Sequence, residues 1–138
     1  MASSNRGIQI GSAWYQTNIK LRPQHRGIHL VTEEILKQIP ELYQFSVGLC
    51  HIQILHTSAS LALNESWDPD VRDDIEMMLI NIAITNGKLA LGTWQGIWFC
   101  EHRDNAGSRK LIITLTGCLR DSARTPLSPV SPIASTSS

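Results

Sequence analysis

The run HTSASLALNESWDPD at residues 56 to 70 crowds a histidine, hydroxyls, an amide and carboxylates into one short stretch. These are the residue types that proton transfer, cation binding and oxyanion binding draw on. His56 is a candidate for proton transfer or metal ligation: at a strand end, one imidazole nitrogen can face a ligand while a backbone or carboxylate partner fixes the other. Its alternative role is a hydrogen-bonded histidine at the rim of the core. Thr57 and Ser58 add hydroxyls and turn N–H groups suited to phosphate or carboxylate oxygens, or to ordinary turn formation. Asn64 and Glu65 lie between Leu63 and Trp67, where a carboxylate needs a partner, so Glu65 is a general base, a cation ligand or half of a structural pair. Asp68 is either part of this chemistry or the N-cap of a helix.

A second concentration is LGTWQGIW at 91 to 98, followed by Glu101. Gly92 and Gly96 let the backbone bend closely while Thr93, Trp94 and Gln95 present a hydroxyl, an aromatic plane and an amide. Trp94 either stacks on an aromatic heterocycle or packs in the core, the second being the commoner role of a lone tryptophan. Glu101 shares a strand face with Ile97 and Phe99, which points a carboxylate inward, and Arg109 either pairs with it or meets an anionic ligand.

The elements that must carry these residues follow from periodicity. Residues 8 to 21 alternate loosely and read as a long strand. Thr32 caps an expected helix with Glu33 and Glu34 in its first turn, Ile35, Leu36 and Ile39 inward, and Pro40 as its stop. From Val47 the period returns to two, with Cys50, Ile52 and Ile54 on one face. Asp68, Pro69 and Asp70 open a second expected helix, whose stripe is Val71, Ile75, Met78, Leu79 and Ile82. Asn86-Gly87 signals a two-residue turn. Residues 97 to 102 and 109 to 116 then form an expected antiparallel hairpin. The order of elements is strand, helix, strand, turn, helix, hairpin and tail. Residues 1 to 7 read as a flexible start, 8 to 120 as one domain, and 121 to 138 as a disordered Ser/Pro-rich tail.

Twelve basic and twelve acidic residues balance, and the basic ones are scattered, which argues against nucleic acid as a partner. No apolar run approaches a membrane span, so a cytoplasmic protein is expected. Cys50, Cys100 and Cys118 form no CxxC pair, and two sit in apolar strand-like runs, as reduced core thiols do.

Taken together, GLCHIQILHTSASLALNESWDPDVRDDI and ITNGKLALGTWQGIWFCEHRDNAGSRKLIITLTG resemble the YjbQ-like family, also called secondary thiamine-phosphate synthase enzymes. The pattern H-T-[ST]-A, N-E, D-P-D-V, L-G-T-W-Q, E and a hairpin arginine is met by His56 to Ala59, Asn64 and Glu65, Asp68 to Val71, Leu91 to Gln95, Glu101 and Arg109. The resemblance implies an α+β fold class, with a mainly antiparallel, sandwich-like sheet and two helices, a homotrimer with sites where subunits meet, a phosphate-containing small-molecule substrate, and a divalent metal ion in complete members. His56, Glu65, Asp68 and Glu101 are then the catalytic candidates, with His56 also the metal ligand. Thr57, Ser58, Asn64, Thr93, Trp94, Gln95 and Arg109 are the substrate-binding ones.

One departure from the family is serious. Between DVRDDIEMML and ITNGKLALGTWQ, near residues 80 to 84, members have a further block with another strand and an N-A-x-x-H-x-K type segment that is missing here. Losing a strand uncovers its neighbours' backbone and core. Two readings follow: a thiamine-phosphate synthase-like enzyme with impaired activity in this shortened chain, or a non-catalytic isoform that joins mixed trimers with a full-length form.

Overall fold

The computed structural model describes residues 7–64 and 77–121 of the chain. Strands β1 (Ala13–Leu21), β3 (Phe45–Ile54), β5 (Leu79–Thr85), β6 (Lys88–Leu89) and β8 (Arg109–Leu119) form one sheet in the order β1-β8-β3-β5-β6. Strands β2 (Gly27–Leu30), β4 (Ala59–Asn64) and β7 (Gly96–Glu101) form a second, in the order β2-β7-β4. Every ladder is antiparallel. Among the described residues the helices are α1 (Thr32–Leu36) and a 3-10 turn at Pro40–Gln44. The protein is therefore mainly antiparallel β.

Alternation places the core between the sheets. Cys50, Ile52 and Ile54 of β3, Ile80, Ile82 and Ile84 of β5, and Leu111, Ile113 and Leu115 of β8 face inward from the large sheet. Leu61 of β4 and Ile97 and Phe99 of β7 meet them from the small one, while Val31, Ile35 and Ile39 close the cluster beside α1. Burial pushes the Cys50 thiol up to about 12, so it stays protonated in the core. None of the three cysteines forms a disulfide and all are buried, as the apolar runs around two of them imply.

Several expectations are corrected. Leu79 and Ile82 belong to strand β5, not to a helix: the β-branched run Ile80, Ile82 and Ile84 satisfies a period of two, and the strand packs along β3 from Val47↔Thr85 to Gln53↔Leu79. The start of that expected helix, including Asp68, Pro69, Asp70, Val71 and Ile75, lies outside the described residues, as do residues 1 to 6 and the tail from 122. Residues 97 to 102 and 109 to 116 are not a hairpin, because β7 and β8 lie in different sheets. The first strand begins at Ala13 rather than near residue 8. Strands β2 and β4 were not anticipated, and β4 occupies much of what read as a turn. Thr32 does not cap α1: its Oγ1 accepts the Ile97 N–H at 2.8 Å and fastens the helix start to β7. The Asn86-Gly87 turn is present, with φ of 49° and 80° at its two residues, the backbone that a type I′ hairpin requires.

The sheets are stitched where the chain passes between them. The Leu61 N–H donates to Met77 O and the Ile54 N–H to Met78 O, both at 2.9 Å, so the entry to β5 holds one strand of each sheet. At the other crossing, the Leu55 N–H donates to Lys110 O and the His102 N–H to Ser58 O. No helix among the described residues is long and apolar enough to cross a membrane.

Gly48 and Gly117 face each other across β3 and β8 beside a register shift. A Cβ on Gly48 would lie 2.0 Å from Thr116 O. Gly48→Ala should thus force the two central strands apart and cost about 1–3 kcal/mol, read as a lower urea midpoint. An unchanged midpoint would show that this row has slack.

Candidate functional site

Glu101 ends β7 and Arg109 begins β8. Glu101 keeps the inward parity of Ile97 and Phe99, and Arg109 that of Leu111 and Ile113, so carboxylate and guanidinium meet between the sheets. They are 2% and 5% exposed. Arg109 Nε donates to Glu101 Oε1 at 2.9 Å and Nη2 to Oε2 at 2.5 Å. Nη2 also donates to Ser58 O at 3.0 Å and Ser58 Oγ at 2.9 Å, and the Arg103 N–H donates to Glu101 Oε2 at 3.1 Å. Burial disfavours the Glu101 charge, but the hydrogen bonds from Arg109 and the Arg103 N–H, with the Arg109 charge, outweigh it and hold the carboxyl below the usual range. The pairing of Glu101 with Arg109, one of two roles open to that arginine, is the one that forms. Both side chains are committed to each other, so Arg109 positions Ser58 rather than reaching out from the surface.

His56 leaves β3 just before this crossing. Its Nε2 accepts the Lys110 N–H at 2.9 Å, which fixes the neutral ring with its proton on Nδ1. Burial and the Arg109 and Lys110 charges lower its pKa, opposed by Glu101. Beside it opens a cleft of about 150 Å³ lined by Thr57, Ser58, Ala59, Ser60, Met78 and His102. Ser60 Oγ and His102 Nε2 are 3.1 Å apart. Neither residue was a candidate from sequence. Strand alternation puts His102 on the same side as Cys100, and Cys100 pairs with Ser60, but that inference needs β4 to be recognised as a strand.

Thr93, Trp94 and Gln95 lie elsewhere. Strands β4 and β7 pair from Ala59↔Glu101 at one end to Asn64↔Gly96 at the other, so the turn before Gly96 and the Glu101 corner are separated by roughly 17 Å of strand. Gln95 folds its own turn, with Oε1 accepting the Gly92 N–H at 2.7 Å and its N–H donating to Gly92 O at 3.0 Å. Trp94 is 75% exposed, which overturns the expectation of a packed tryptophan. Asn64 is at this same end of β4; Glu65 and Asp68 lie outside the described residues. The structure thus joins His56, Thr57, Ser58, Glu101 and Arg109 at one corner and keeps Asn64, Thr93, Trp94 and Gln95 at the far end.

A divalent ion does not fit what is described. No group of three or more His, Cys, Asp or Glu side chains is placed to hold one among the described residues, and His56 spends its Nε2 lone pair on the Lys110 N–H. His56 as a metal ligand is not supported by this geometry.

The family model described as UPF0047 protein YjbQ-like matches residues 17–83 and, separately, 79–118. The chain belongs to this family. It is 37% identical to the UPF0047 protein YjbQ of Escherichia coli O157:H7 over 136 residues, covering 75% of this chain and 99% of that protein. With the Salmonella typhimurium YjbQ the identity is 38% over the same shares. Among solved structures, a YjbQ/UPF0047 family protein from Clostridium acetobutylicum is 27% identical with a TM-score of 0.58, covering 72% of this chain and 98% of its own. A YbjQ-like protein of unknown function from Sulfolobus solfataricus has a TM-score of 0.64 at 16% identity, covering 78% and 99%, and at that identity speaks for the fold alone. Three quarters of 138 residues are about 104, so some thirty positions of the Escherichia coli YjbQ have no counterpart in this YjbQ-like chain. The two segments matched by the family model meet at 79–83.

Glu101→Gln should cost about 3–5 kcal/mol, because it strands a buried guanidinium, whereas the double change Glu101→Leu with Arg109→Met should recover most of that loss. Denaturant melts of the native chain and the two variants would check it; equal losses for the single and the double change would mean that the pair is not the cause. Acid stability supplies a second check. Both His56 and Glu101 have pKa values lowered by folding, so each contributes stability that is present above its unfolded pKa and lost as pH falls through its folded one. Stability should decline first below about pH 6.5, as the His56 acceptor is protonated, and again below about pH 4.3, as Glu101 is. His56→Gln should remove the first phase only.

Proposed function

We propose that this YjbQ-like chain derives from a phosphate-handling enzyme of the thiamine-phosphate synthase type, with the His56–Ser58 corner receiving a phosphorylated small molecule. The observation that carries the reading is Ser58. Arginine has only N–H donors, so Ser58 Oγ accepts from Arg109 Nη2 and its own O–H is left to donate at the wall of the cleft. A hydroxyl forced to donate at the rim of a pocket suits an oxyanion. Thr57 adds a second hydroxyl, and the Arg109 and Lys110 charges that lower the His56 pKa supply a positive field.

Impaired turnover in this chain is the second half of the proposal. It is supported by the thirty or so unmatched positions and by the split of the family match at 79–83. The edge of β5 supports it too: among the described residues its outer side pairs only through Ile84 and Thr85 of the ladder to β6, with the Ala90 N–H to Ala83 O beyond it. The roughly 17 Å between Ser58 and the Thr93 to Gln95 turn fits sites completed between subunits, as in the homotrimer that the family resemblance implies.

A specific observation favours the second reading, a non-catalytic chain that enters mixed trimers. The outer face of the large sheet exposes Trp14, Val47, Leu49 and Leu79 at 73%, 43%, 51% and 45%. Trp14 and Leu49 flank Thr116 in one row. Such a face suits contact with another protomer.

Thiamine phosphate formation and mass in solution should be compared for this chain and for one with the thirty-residue block of the Escherichia coli relative inserted at 79–83. The restored chain should be active and this one at least tenfold less so. Equal activity would overturn the impaired reading, and inactivity of both as folded species would overturn the thiamine-phosphate reading. In the restored chain, Glu65→Gln should lower turnover far more than stability; a loss of stability alone would make Glu65 structural.

A further inference from the structure

We propose that the cleft is a subsite for a phosphate monoester group, with the His102 imidazole as its hydrogen-bonding ligand and Ser60 as the residue that positions the ring. This rests on the phosphate-handling reading above but is independent of thiamine chemistry.

Three observations converge on it. The cleft holds about 150 Å³, well below the roughly 300–1,000 Å³ of pockets that enclose a whole drug-sized molecule. It therefore suits a group at the end of a substrate rather than the whole. Its polar lining consists of hydroxyls and one imidazole: Thr57, Ser58, Ser60 and His102, with Met78 as the apolar wall. Among the described residues the lining holds no carboxylate. Glu101 is next in sequence to His102, but consecutive strand residues face opposite ways, and its charge is spent on Arg109 in the core.

His102 is also held in a way that an ordinary exposed loop histidine is not. Its backbone N–H donates to Ser58 O at 3.2 Å and its Nε2 lies 3.1 Å from Ser60 Oγ. Ser60 is 1% exposed, in a ladder with Cys100, so the hydroxyl that meets the ring is fixed by the sheet. The ring itself stays at the surface, where its second nitrogen can meet a ligand. Preorganised hydroxyls beside an imidazole N–H donor are what phosphate oxygens reward.

Inorganic phosphate and phenyl phosphate should be titrated into the full chain at about pH 6, with calorimetry for affinity and ring-proton NMR for His102. The native chain should bind both, and the His102 ring signals should shift on binding. His102→Gln should weaken binding about tenfold, the loss of one charge-assisted hydrogen bond. Ser60→Ala should displace the His102 ring signals before any phosphate is added and weaken binding by a smaller factor. His51→Gln, on the outer face of the large sheet against Asn81, should change neither. Absence of binding to the folded native chain, or equal affinity in the native and His102→Gln chains, overturns the proposal. If Ser60→Ala unfolds, the exposed His102 variant still decides. Phosphate binding without thiamine phosphate formation in the restored chain would keep this subsite and remove that substrate; the reverse result would remove this subsite alone.

Discussion

Two buried charges, Glu101 at the end of β7 and Arg109 at the start of β8, tie together strands that share no ladder. The desolvation of such a pair cancels much of its attraction, so its value is less in net stability than in the arrangement it enforces. A guanidinium placed between the sheets has few ways to satisfy its donors. Here it takes both carboxylate oxygens and both oxygens of Ser58. Any slip of β7 against β8, or of the 55 to 58 crossing against either, would break several of these bonds at once.

The geometry of the cleft follows from that constraint. Ser58 O receives Arg109 Nη2 from the core side and the His102 N–H from the other, so one carbonyl relates the buried ion pair to the exposed histidine. Lys110, one residue after Arg109, fixes His56 through its N–H. The polar groups at this corner are thus placed by backbone geometry that the pair defines, which gives them the rigidity that binding sites need. Apolar packing alone would hold the sheets together but would leave this corner free to settle in several ways.

Some of this was legible in the sequence and some was not, for reasons that differ by residue. The inward aim of Glu101 and the inner face of β3 followed from simple alternation and the Asn86-Gly87 turn from its residue types, whereas the pairing with Arg109 was only one of two roles open to that arginine. Strand β5 was misread because Met78, Leu79 and Ile82 also satisfy a helical spacing; short apolar runs fit both periods, and the tertiary partner decides. The expected β7–β8 hairpin failed because closeness in sequence favours pairing, while here β7 takes β2 and β4 as its neighbours and β8 takes β1 and β3. Strand β4 was hidden in a stretch whose polar residues suggested a turn, and with it went Ser60 and His102, which only cross-strand pairing brings together.

The chain keeps what its core cannot do without. In β5 the residues Ile80, Ile82 and Ile84 continue the inner face of the large sheet beside β3, and Met77 and Met78 still join the two sheets. A join that retained the residues before this strand but shifted it by one position would turn all three isoleucines toward solvent. The observed register avoids that, so the apolar burial required for a fold is met even where about thirty family positions are missing. The motif residues follow a different rule, since they fall at the two ends of the β4–β7 ribbon. Within one protomer those ends stay apart by the length of the strands. Folding and site geometry therefore separate in this molecule: alternation along the strands satisfies the core, while the distance between the ribbon's ends keeps the His56–Ser58 corner apart from the Thr93–Gln95 turn.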